Sequence, residues 1–303
     1  MNERPPLLVI VGPTAAGKSA LALERAARLG GEIINADSVQ VYQGLDIGSA
    51  KPSRAERAAV PHHLVDLWPP THQANAGAWL VEAERAIAEV RARGRLPIIC
   101  GGTGLYVRAL LEGLASIPAV PAALAATIRQ RIADEGAASL HAELTRVDPD
   151  CAARLAPNDG QRVGRALGVY LATGTPISLL QQRHRESASV RWRATLVGVF
   201  PDRAVLEARI TARARQMIDA GLIDEVRGLL DAGVPVDAPG LMSLGYREVV
   251  AWLRSPALSS GGPAARGSLA TALAAAHRRY AKRQLTWWRD AHFDERIVAS
   301  GPA

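Results

Sequence analysis

Apolar residues in this chain occur either in short continuous runs or in longer stretches with helical spacing. Residues 7–11, 32–36 and 96–100 are short, largely apolar runs, which are typical of strands buried on both faces. Residues 18–29 and 78–93 instead carry apolar side chains at helical spacing, and each stretch stops at glycine. Strands that alternate with helices predict an α/β fold built on a parallel sheet.

The pattern changes in the middle of the chain. Two further strands are predicted at residues 63–67 and 195–200, and no strand pattern is visible between residues 113 and 193. The predicted helices of that middle stretch are 122–135, 139–146 and 161–172, and those after it are 203–220, 223–231, 241–253 and 264–289. The sequence therefore predicts a core made of residues 1–112 and 194–303, with an all-helical lobe inserted at 113–193.

Polar segments follow three of the predicted strands, at residues 14–19, 37–40 and 101–104. In a parallel sheet, ligands bind at the carboxyl ends of the strands. We therefore expect these segments to converge on one site.

The first of these segments belongs to a P-loop pattern, Gly-Pro-Thr-Ala-Ala-Gly-Lys-Ser, between a predicted strand and a predicted helix. Backbone N–H groups of such a loop cradle phosphate oxygens at the positive end of the helix, and the serine hydroxyl can ligate Mg²⁺. The residues predicted to hold phosphate are Gly12, Pro13, Thr14, Ala15, Ala16, Gly17, Lys18 and Ser19. A chance match in a loop rich in glycine and alanine is the alternative, and the flanking elements argue against it. The motif does not name the reaction.

The other two segments supply candidate chemistry beside the P-loop. A carboxylate at Asp37 could hold Mg²⁺ or act as a general base, or it could simply cap a turn. Thr103 adds a hydroxyl after a pair of glycines. The strand before it ends without an acid, although an ATPase would need a carboxylate there to hold Mg²⁺.

The composition of the chain is weaker evidence than its motifs for the kind of molecule that it binds. The net charge of +7 favours polyanions, but 33 arginines against three lysines make charge alone a weak argument. Lys51 could be a second phosphate contact or a surface lysine. Arg209 and Arg213, four residues apart on one predicted helix, could clamp a leaving phosphate or form a solvated basic face.

Basic residues also mark two candidate RNA contacts. Arg162 and Arg165 lie three residues apart at the start of a predicted helix, which suits a nucleic-acid backbone. Residues 278–289 interleave cations with aromatics, which suits RNA bases, although a basic surface above a tryptophan-anchored core face accounts for some of them. The two cysteines exclude a disulfide framework and a zinc site.

Seven motifs, taken in order, resemble those of the tRNA dimethylallyltransferases, also called tRNA isopentenyl transferases. They are the P-loop, Asn-Ala-Asp-Ser-Val-Gln-Val-Tyr at 35–42, Asp-Ile-Gly-Ser-Ala-Lys-Pro at 46–52, Gly-Gly-Thr at 101–103, Asn-Asp with Gln-Arg within 158–162, Leu-Gly-Tyr-Arg-Glu at 244–248 and Ala-Lys-Arg-Gln-Leu-Thr-Trp at 281–287. Each motif is weak alone, whereas the ordered set spans nearly the whole chain. The resemblance implies a P-loop NTPase-like core whose inserted lobe grips the anticodon arm of tRNA.

The implied reaction moves a dimethylallyl group from dimethylallyl diphosphate to the N6 amine of the adenosine 3′-adjacent to the anticodon. The implied catalytic residues are Asp37, which accepts the amine proton, and Thr14, Lys18 and Arg213 at the diphosphate, with Ser19 acting through a Mg²⁺ cofactor. The residues predicted to bind tRNA are Asp37, Ser38, Val39, Gln40, Thr103, Gln161, Arg162, Val163, Gly164 and Arg165. We expect a cytoplasmic protein, because no signal-peptide pattern or membrane-length apolar run is visible. We also expect a monomer.

Two other functions share these features. A small-molecule or nucleotide kinase would use the same P-loop, but it would turn over ATP in the presence of a small acceptor. A non-catalytic RNA-binding protein would keep its affinity for tRNA after Asp37 is replaced, with no reaction to lose. The sequence leaves open whether ATP is a ligand.

Overall fold

The computed structural model describes residues 6–187, 191–255 and 262–298, in which strands and helices alternate as far as α4 and helices predominate after it. The strands are β1 (Pro6–Val11), β2 (Gly31–Asn35), β3 (His62–His63), β4 (Leu96–Gly101), β5 (Arg193–Val199) and β6 (Glu295–Ile297). The helices are α1 (Lys18–Leu29), α2 (Arg54–Ala59), α3 (Ala76–Ala92), α4 (Gly104–Glu112), α5 (Ala122–Glu135), α6 (Ala137–Val147), α7 (Pro149–Ala152), α8 (Gly160–Thr173), α9 (Ile177–Ser187), α10 (Arg203–Asp219), α11 (Leu222–Asp231), α12 (Tyr246–Leu253) and α13 (Pro263–Trp287). No helix in these ranges is long and apolar enough to cross a membrane.

The six strands form one parallel sheet in the order β3–β2–β4–β1–β5–β6. Because β1 pairs with both β4 and β5, the loop that follows it lies near the middle of the carboxyl edge. The segment after β4 is its neighbour on one side, and the segment after β2 comes next. The predicted parallel α/β fold is confirmed, and it brings the three polar segments to one edge.

Successive residues of β1 serve two different cores. Leu8 and Ile10 belong to the core cluster that also contains Ala22 and Ala26 of α1. Val9 and Val11, and Leu7 with them, belong to the larger cluster on the opposite face, with α3, α10, α12 and α13. Strand side chains alternate between faces, so a strand covered on both sides is apolar throughout, as the sequence of β1 is.

The chain divides into two compact units, one of Met1–Leu111 with Arg191–Ala303 and one of Glu112–Val190. The predicted boundaries lay at residues 112/113 and 193/194. The described part of the second unit is helical, with a core that includes Leu140, Leu144, Val163 and Leu167. The buried Asp148 carboxylate accepts hydrogen bonds from the backbone N–H groups of Cys151 and Ser178, which joins α7 to α9.

Several elements differ from their predicted bounds. The third strand is only His62–His63, because Leu64 and Asp66 have positive φ angles of 61° and 58° that end it. Helix α12 begins at Tyr246 rather than at residue 241, after Gly245 with φ 90°. Helices α2, α4, α7 and α9 and strand β6 were not predicted.

Candidate functional site

The P-loop leaves β1 along a path that side chains would obstruct. A Cβ at Gly12 would lie 2.2 Å from the backbone oxygen of Val199 on β5, so the loop passes directly against the neighbouring strand. Ala15 and Gly17 have φ angles of 61° and 96°, which turn the loop over the start of α1. Alternation of this kind points successive backbone N–H groups to one side, as an anion requires.

Helix α1 supplies the positive end of that cradle. Its N-cap, Gly17, has no side chain to satisfy the first N–H groups of the helix, which carry partial positive charge. The ammonium of Lys18 lies within the loop and donates a hydrogen bond of 2.7 Å to the backbone oxygen of Pro13. Burial lowers the pKa of Lys18, and the nearby Asp37 carboxylate acts in the opposite direction.

Asp37 follows β2 and has a structural role as well as an accessible carboxylate. Its Oδ1 accepts backbone hydrogen bonds from Val39 at 2.8 Å and from Gln40 at 3.4 Å, so the predicted turn role is real. The side chain of Asn35 braces the same turn, because its Oδ1 accepts from the N–H of Asp37 and its Nδ2 donates to the backbone oxygen of Leu64. The second oxygen of Asp37 is not used by this turn and is available for chemistry.

Arg213 contributes a guanidinium group to the site from α10. One of its terminal nitrogens is 3.4 Å from the backbone oxygen of Ser49, and its buried Nε has no hydrogen-bond partner among the described residues. Burial lowers the pKa of Arg213, and Asp37 opposes that effect. A buried guanidinium N–H without a partner is costly unless an anion binds it.

One cavity joins these groups. It has a volume of about 80 Å³, and residues from all three polar segments and from α10 line it. The predicted site residues on this lining are Thr14, Lys18, Ser19, Asp37, Gln40 and Arg213. Thr103 is connected to the same site, because its Oγ1 accepts a 2.9 Å hydrogen bond from the N–H of Ser38. The expected convergence in the core unit is confirmed.

The structure shows where Lys51 and Arg209, the two basic residues with open alternatives, are placed. Lys51 is neither a phosphate contact nor a surface lysine, because its side chain is 2 % exposed and its ammonium contacts Asp46 and Asp66. Asp66 also pairs with Arg57, so it is not free to hold a metal. Arg209 lies against the P-loop, with one guanidinium nitrogen 3.4 Å from the backbone oxygen of Ala16.

The predicted RNA contacts in the lobe lie at the start of α8 and differ in exposure. Gln161, Arg162 and Arg165 are exposed. Val163 and Gly164 are buried, and a Cβ on Gly164 would lie 3.0 Å from the side chains of Ile128 and Ile132. These two positions are covered by the core of the second unit, so the tRNA contact predicted for them stays a prediction, for the backbone rather than for side chains.

Three residues that hold the site were not singled out from the sequence. Gln284 of α13 accepts a hydrogen bond from the N–H of Thr14 at 2.8 Å. Glu225 of α11 accepts from the backbone N–H groups of Ile47 at 2.8 Å and Asp46 at 3.1 Å, and from the hydroxyl of Tyr246 at 2.7 Å. Gln284 and Tyr246 had a signal, since they fall within the motifs at residues 281–287 and 244–248, whereas Glu225 had none.

Sequence comparison with known proteins finds matches along nearly the whole chain. The sequence model of the family described as "IPP transferase" matches residues 40–291, and that described as "Isopentenyl transferase" matches residues 5–63. The chain is 48% identical to a tRNA dimethylallyltransferase of an Anaeromyxobacter species over 93% of this chain and 91% of that protein. It is 46% identical to the one from Geobacter metallireducens, over 95% and 91%.

Solved structures give the same picture. The full-length tRNA isopentenylpyrophosphate transferase from Bacillus halodurans is similar with a TM-score of 0.67 and 35% identity, over 97% of this chain and 90% of that one. A eukaryotic dimethylallyltransferase, described as acting on tRNA, is similar with a TM-score of 0.76 and 25% identity, over 94% of this chain and 70% of that one.

Proposed function

This chain belongs to the family of tRNA dimethylallyltransferases, and on that basis we propose that it transfers a dimethylallyl group from dimethylallyl diphosphate to N6 of the adenosine 3′-adjacent to the anticodon. The observation that carries the proposal is a single cavity with an anion cradle on one side and the Asp37 carboxylate on the other. A leaving diphosphate and a proton-releasing amine need these two environments side by side.

The chemistry separates into two demands. As the allylic C–O bond breaks, its electron pair stays on the diphosphate, and positive charge develops on carbon. Lys18, Arg213 and the P-loop N–H groups then stabilise the leaving oxygens, and they do so most strongly as charge develops. The lone pair of the adenine amine forms the new C–N bond, and the amine proton passes to the free oxygen of Asp37.

A Mg²⁺ ion fits this site as a partner of the substrate. The described ranges contain no group of three or more histidine, cysteine or acidic side chains placed to hold a metal. Mg²⁺ commonly takes only one or two protein oxygens and completes its shell with phosphates and water. The Ser19 hydroxyl lines the cavity and would be one such ligand. The ion would supply further charge neutralisation at the diphosphate.

A kinase is the runner-up, and the carboxyl edge of the sheet counts against it. Residues 96–103 contain no acid, so β4 offers no carboxylate for the Mg²⁺ of a nucleoside triphosphate. Asp66 is committed to Lys51 and Arg57. A leaving diphosphate does not need an activated water or a phosphoryl acceptor. The missing carboxylate on β4 and the pairing of Asp66 with Lys51 and Arg57 are therefore compatible with prenyl transfer.

We propose the helical lobe as a tRNA contact, with Arg162 and Arg165 at the RNA backbone. Within the described part of the lobe, Arg162 pairs only with Asp159 at 3.1 Å, and Arg165 contacts the backbone oxygen of Pro118 at 3.4 Å. Such exposed interactions contribute little and can be exchanged for phosphate contacts. On this proposal the protein acts as a cytoplasmic monomer on one tRNA.

Replacing both Arg162 and Arg165 by alanine is expected to weaken tRNA binding about tenfold or more. It should also reduce the salt dependence of the binding constant by roughly one phosphate contact per arginine. Filter binding or calorimetry at several salt concentrations measures both effects. Arg129→Ala, also exposed in the lobe, is the control. Equal losses in the control, or an unchanged salt slope, would contradict a specific role.

The transfer itself is tested with unmodified tRNA, dimethylallyl diphosphate and Mg²⁺. A tRNA with adenosine beside the anticodon should gain one dimethylallyl unit by mass spectrometry. The same tRNA with guanosine at that position should gain none. Modification of both tRNAs, or of neither, would remove the proposed specificity or the proposed reaction.

A further inference from the structure

Helix α13 reaches into the site with one buried amide. Gln284 is 5 % exposed, and both ends of its side chain are used. Its Oε1 accepts the N–H of Thr14 at 2.8 Å, and its Nε2 donates to the backbone oxygen of Gly102 at 2.9 Å. It therefore joins the loop after β1 to the loop after β4, two segments that are adjacent in the sheet but far apart in sequence.

The amide passes close to the backbone of the second loop. A Cβ at Gly102 would lie 2.2 Å from Nε2 of Gln284, so glycine is required where the amide crosses the second loop. A buried amide with both ends hydrogen-bonded holds its rotamer, because any rotation would leave polar atoms unpaired. Gln284 therefore acts as a fixed spacer between the two loops.

A second residue of α13, Tyr280, extends these contacts to the polar segment after β2, residues 37–40. Burial raises the pKa of Tyr280, one turn before Gln284, and hydrogen bonding with the side chains of Thr103 and Gln284 acts in the opposite direction. Thr103 in turn accepts the N–H of Ser38 at 2.9 Å. The contacts form a continuous path from Thr14 of the P-loop to Ser38, which is next to Asp37.

We propose that Gln284, supported by Tyr280, is a positioning residue that sets the distance between the P-loop and the polar segment at residues 37–40. This inference rests on the proposed function and names residues that neither donate to the diphosphate nor accept the amine proton. Thr14 lies at the start of the loop, and its N–H is already bonded to Gln284, so the amide anchors the loop without occupying the N–H groups at the start of α1.

Positioning of this kind acts on the reaction more than on binding. Either substrate alone needs only its own half of the site, whereas transfer needs the allylic carbon and the amine at near-attack distance. A misplacement of about 1 Å can cost roughly 10²-fold in rate. Loss of the spacer should therefore slow the step in which both halves take part.

The test uses Gln284→Leu, which removes both hydrogen bonds at similar volume, and Tyr280→Phe, which removes only a hydroxyl. Gln284→Leu should lower the single-turnover rate at saturating substrates by about 10- to 100-fold, and Tyr280→Phe by roughly three- to tenfold. Affinities for inorganic pyrophosphate and for tRNA, each measured alone, should stay within about threefold of wild type. Because both residues act in one path, the double variant should lose less than the product of the single losses.

Thr271→Val is the matched control on the same helix, since its exposed hydroxyl bonds only to the backbone oxygen of Gly267. It should leave all three measurements unchanged. Thermal unfolding of each variant identifies loss of fold, and Tyr280→Phe keeps the test decisive if Gln284→Leu does not fold.

Three results would overturn the inference: rates within twofold of wild type, losses confined to the affinity for one substrate, or fully additive losses in the double variant. If wild-type protein fails to modify tRNA, the proposed function fails instead. A wild type that transfers normally beside unaffected variants removes only the role of Gln284 and Tyr280.

Discussion

Replacing Asp37 by asparagine is expected to slow dimethylallyl transfer by about 10²–10⁴-fold, the usual contribution of a general base, with tRNA affinity largely intact. Asparagine keeps an oxygen for the turn to Val39 and Gln40 and removes the charge that accepts the amine proton. Single-turnover kinetics at saturating substrates, with a separate tRNA binding curve, measures the two effects independently.

Asp37→Ala separates the chemical role from the structural one. Alanine removes the charge and also the two turn bonds, so it should be at least as slow as asparagine and less stable to heat. If asparagine transferred at a near-normal rate while alanine were slow, Asp37 would be a turn residue only. A non-catalytic RNA-binding protein would show no rate to lose in either variant.

Lys18→Ala has the second largest expected effect, because it acts on the leaving group. The ammonium is the mobile charge of the loop and, among the described residues, bonds only to the backbone oxygen of Pro13, so it can move to a diphosphate. We expect a loss of roughly 10²–10³ in the rate of transfer, as for removal of one donor to a developing oxyanion. Binding of pyrophosphate should weaken as well.

The control for Lys18 is Arg203→Ala at the exposed start of α10, where the guanidinium pairs with Glu207 at 2.8 Å. This variant removes one positive charge from a residue that does not line the cavity of Lys18 and Asp37, and it should leave pyrophosphate affinity and rate near wild type. If Lys18→Ala behaved like this control, the P-loop would have no part in the mechanism.

The central features could be predicted because they are local. A strand, glycine loop and helix in sequence order define the P-loop, and parallel strands place residues 37 and 103 at the same edge. The positions of Lys18 and Asp37 in one cavity follow from those rules, whereas Arg213 was added by its helical spacing from Arg209 and by the chemistry that the resemblance implies.

The roles of Lys51 and Gln284 depend instead on distant partners. Lys51 lies in a glycine-bearing motif that suggested phosphate, but Asp66 reaches it only after the chain folds back. Gln284 bonds to Thr14, 270 residues earlier. No spacing rule links positions so far apart in sequence.

The missed helix α4 has a different cause. It begins at Gly104, directly after a glycine-rich turn, and residues such as Tyr106 and Val107 favour strands when taken locally. The glycine is required by packing, since a Cβ there would lie 2.2 Å from Nε1 of Trp287 on α13. Tertiary contact therefore overrides the local signal.

The central claim is that carbon moves and the diphosphate leaves. It is tested most directly with dimethylallyl diphosphate that carries one label in the dimethylallyl group and another in the phosphates, incubated with unmodified tRNA. The account predicts that the carbon label enters the tRNA on N6 of adenosine while an equal amount of phosphate label appears as free pyrophosphate. Phosphate label on any acceptor, or pyrophosphate released without carbon label on the tRNA, would contradict it.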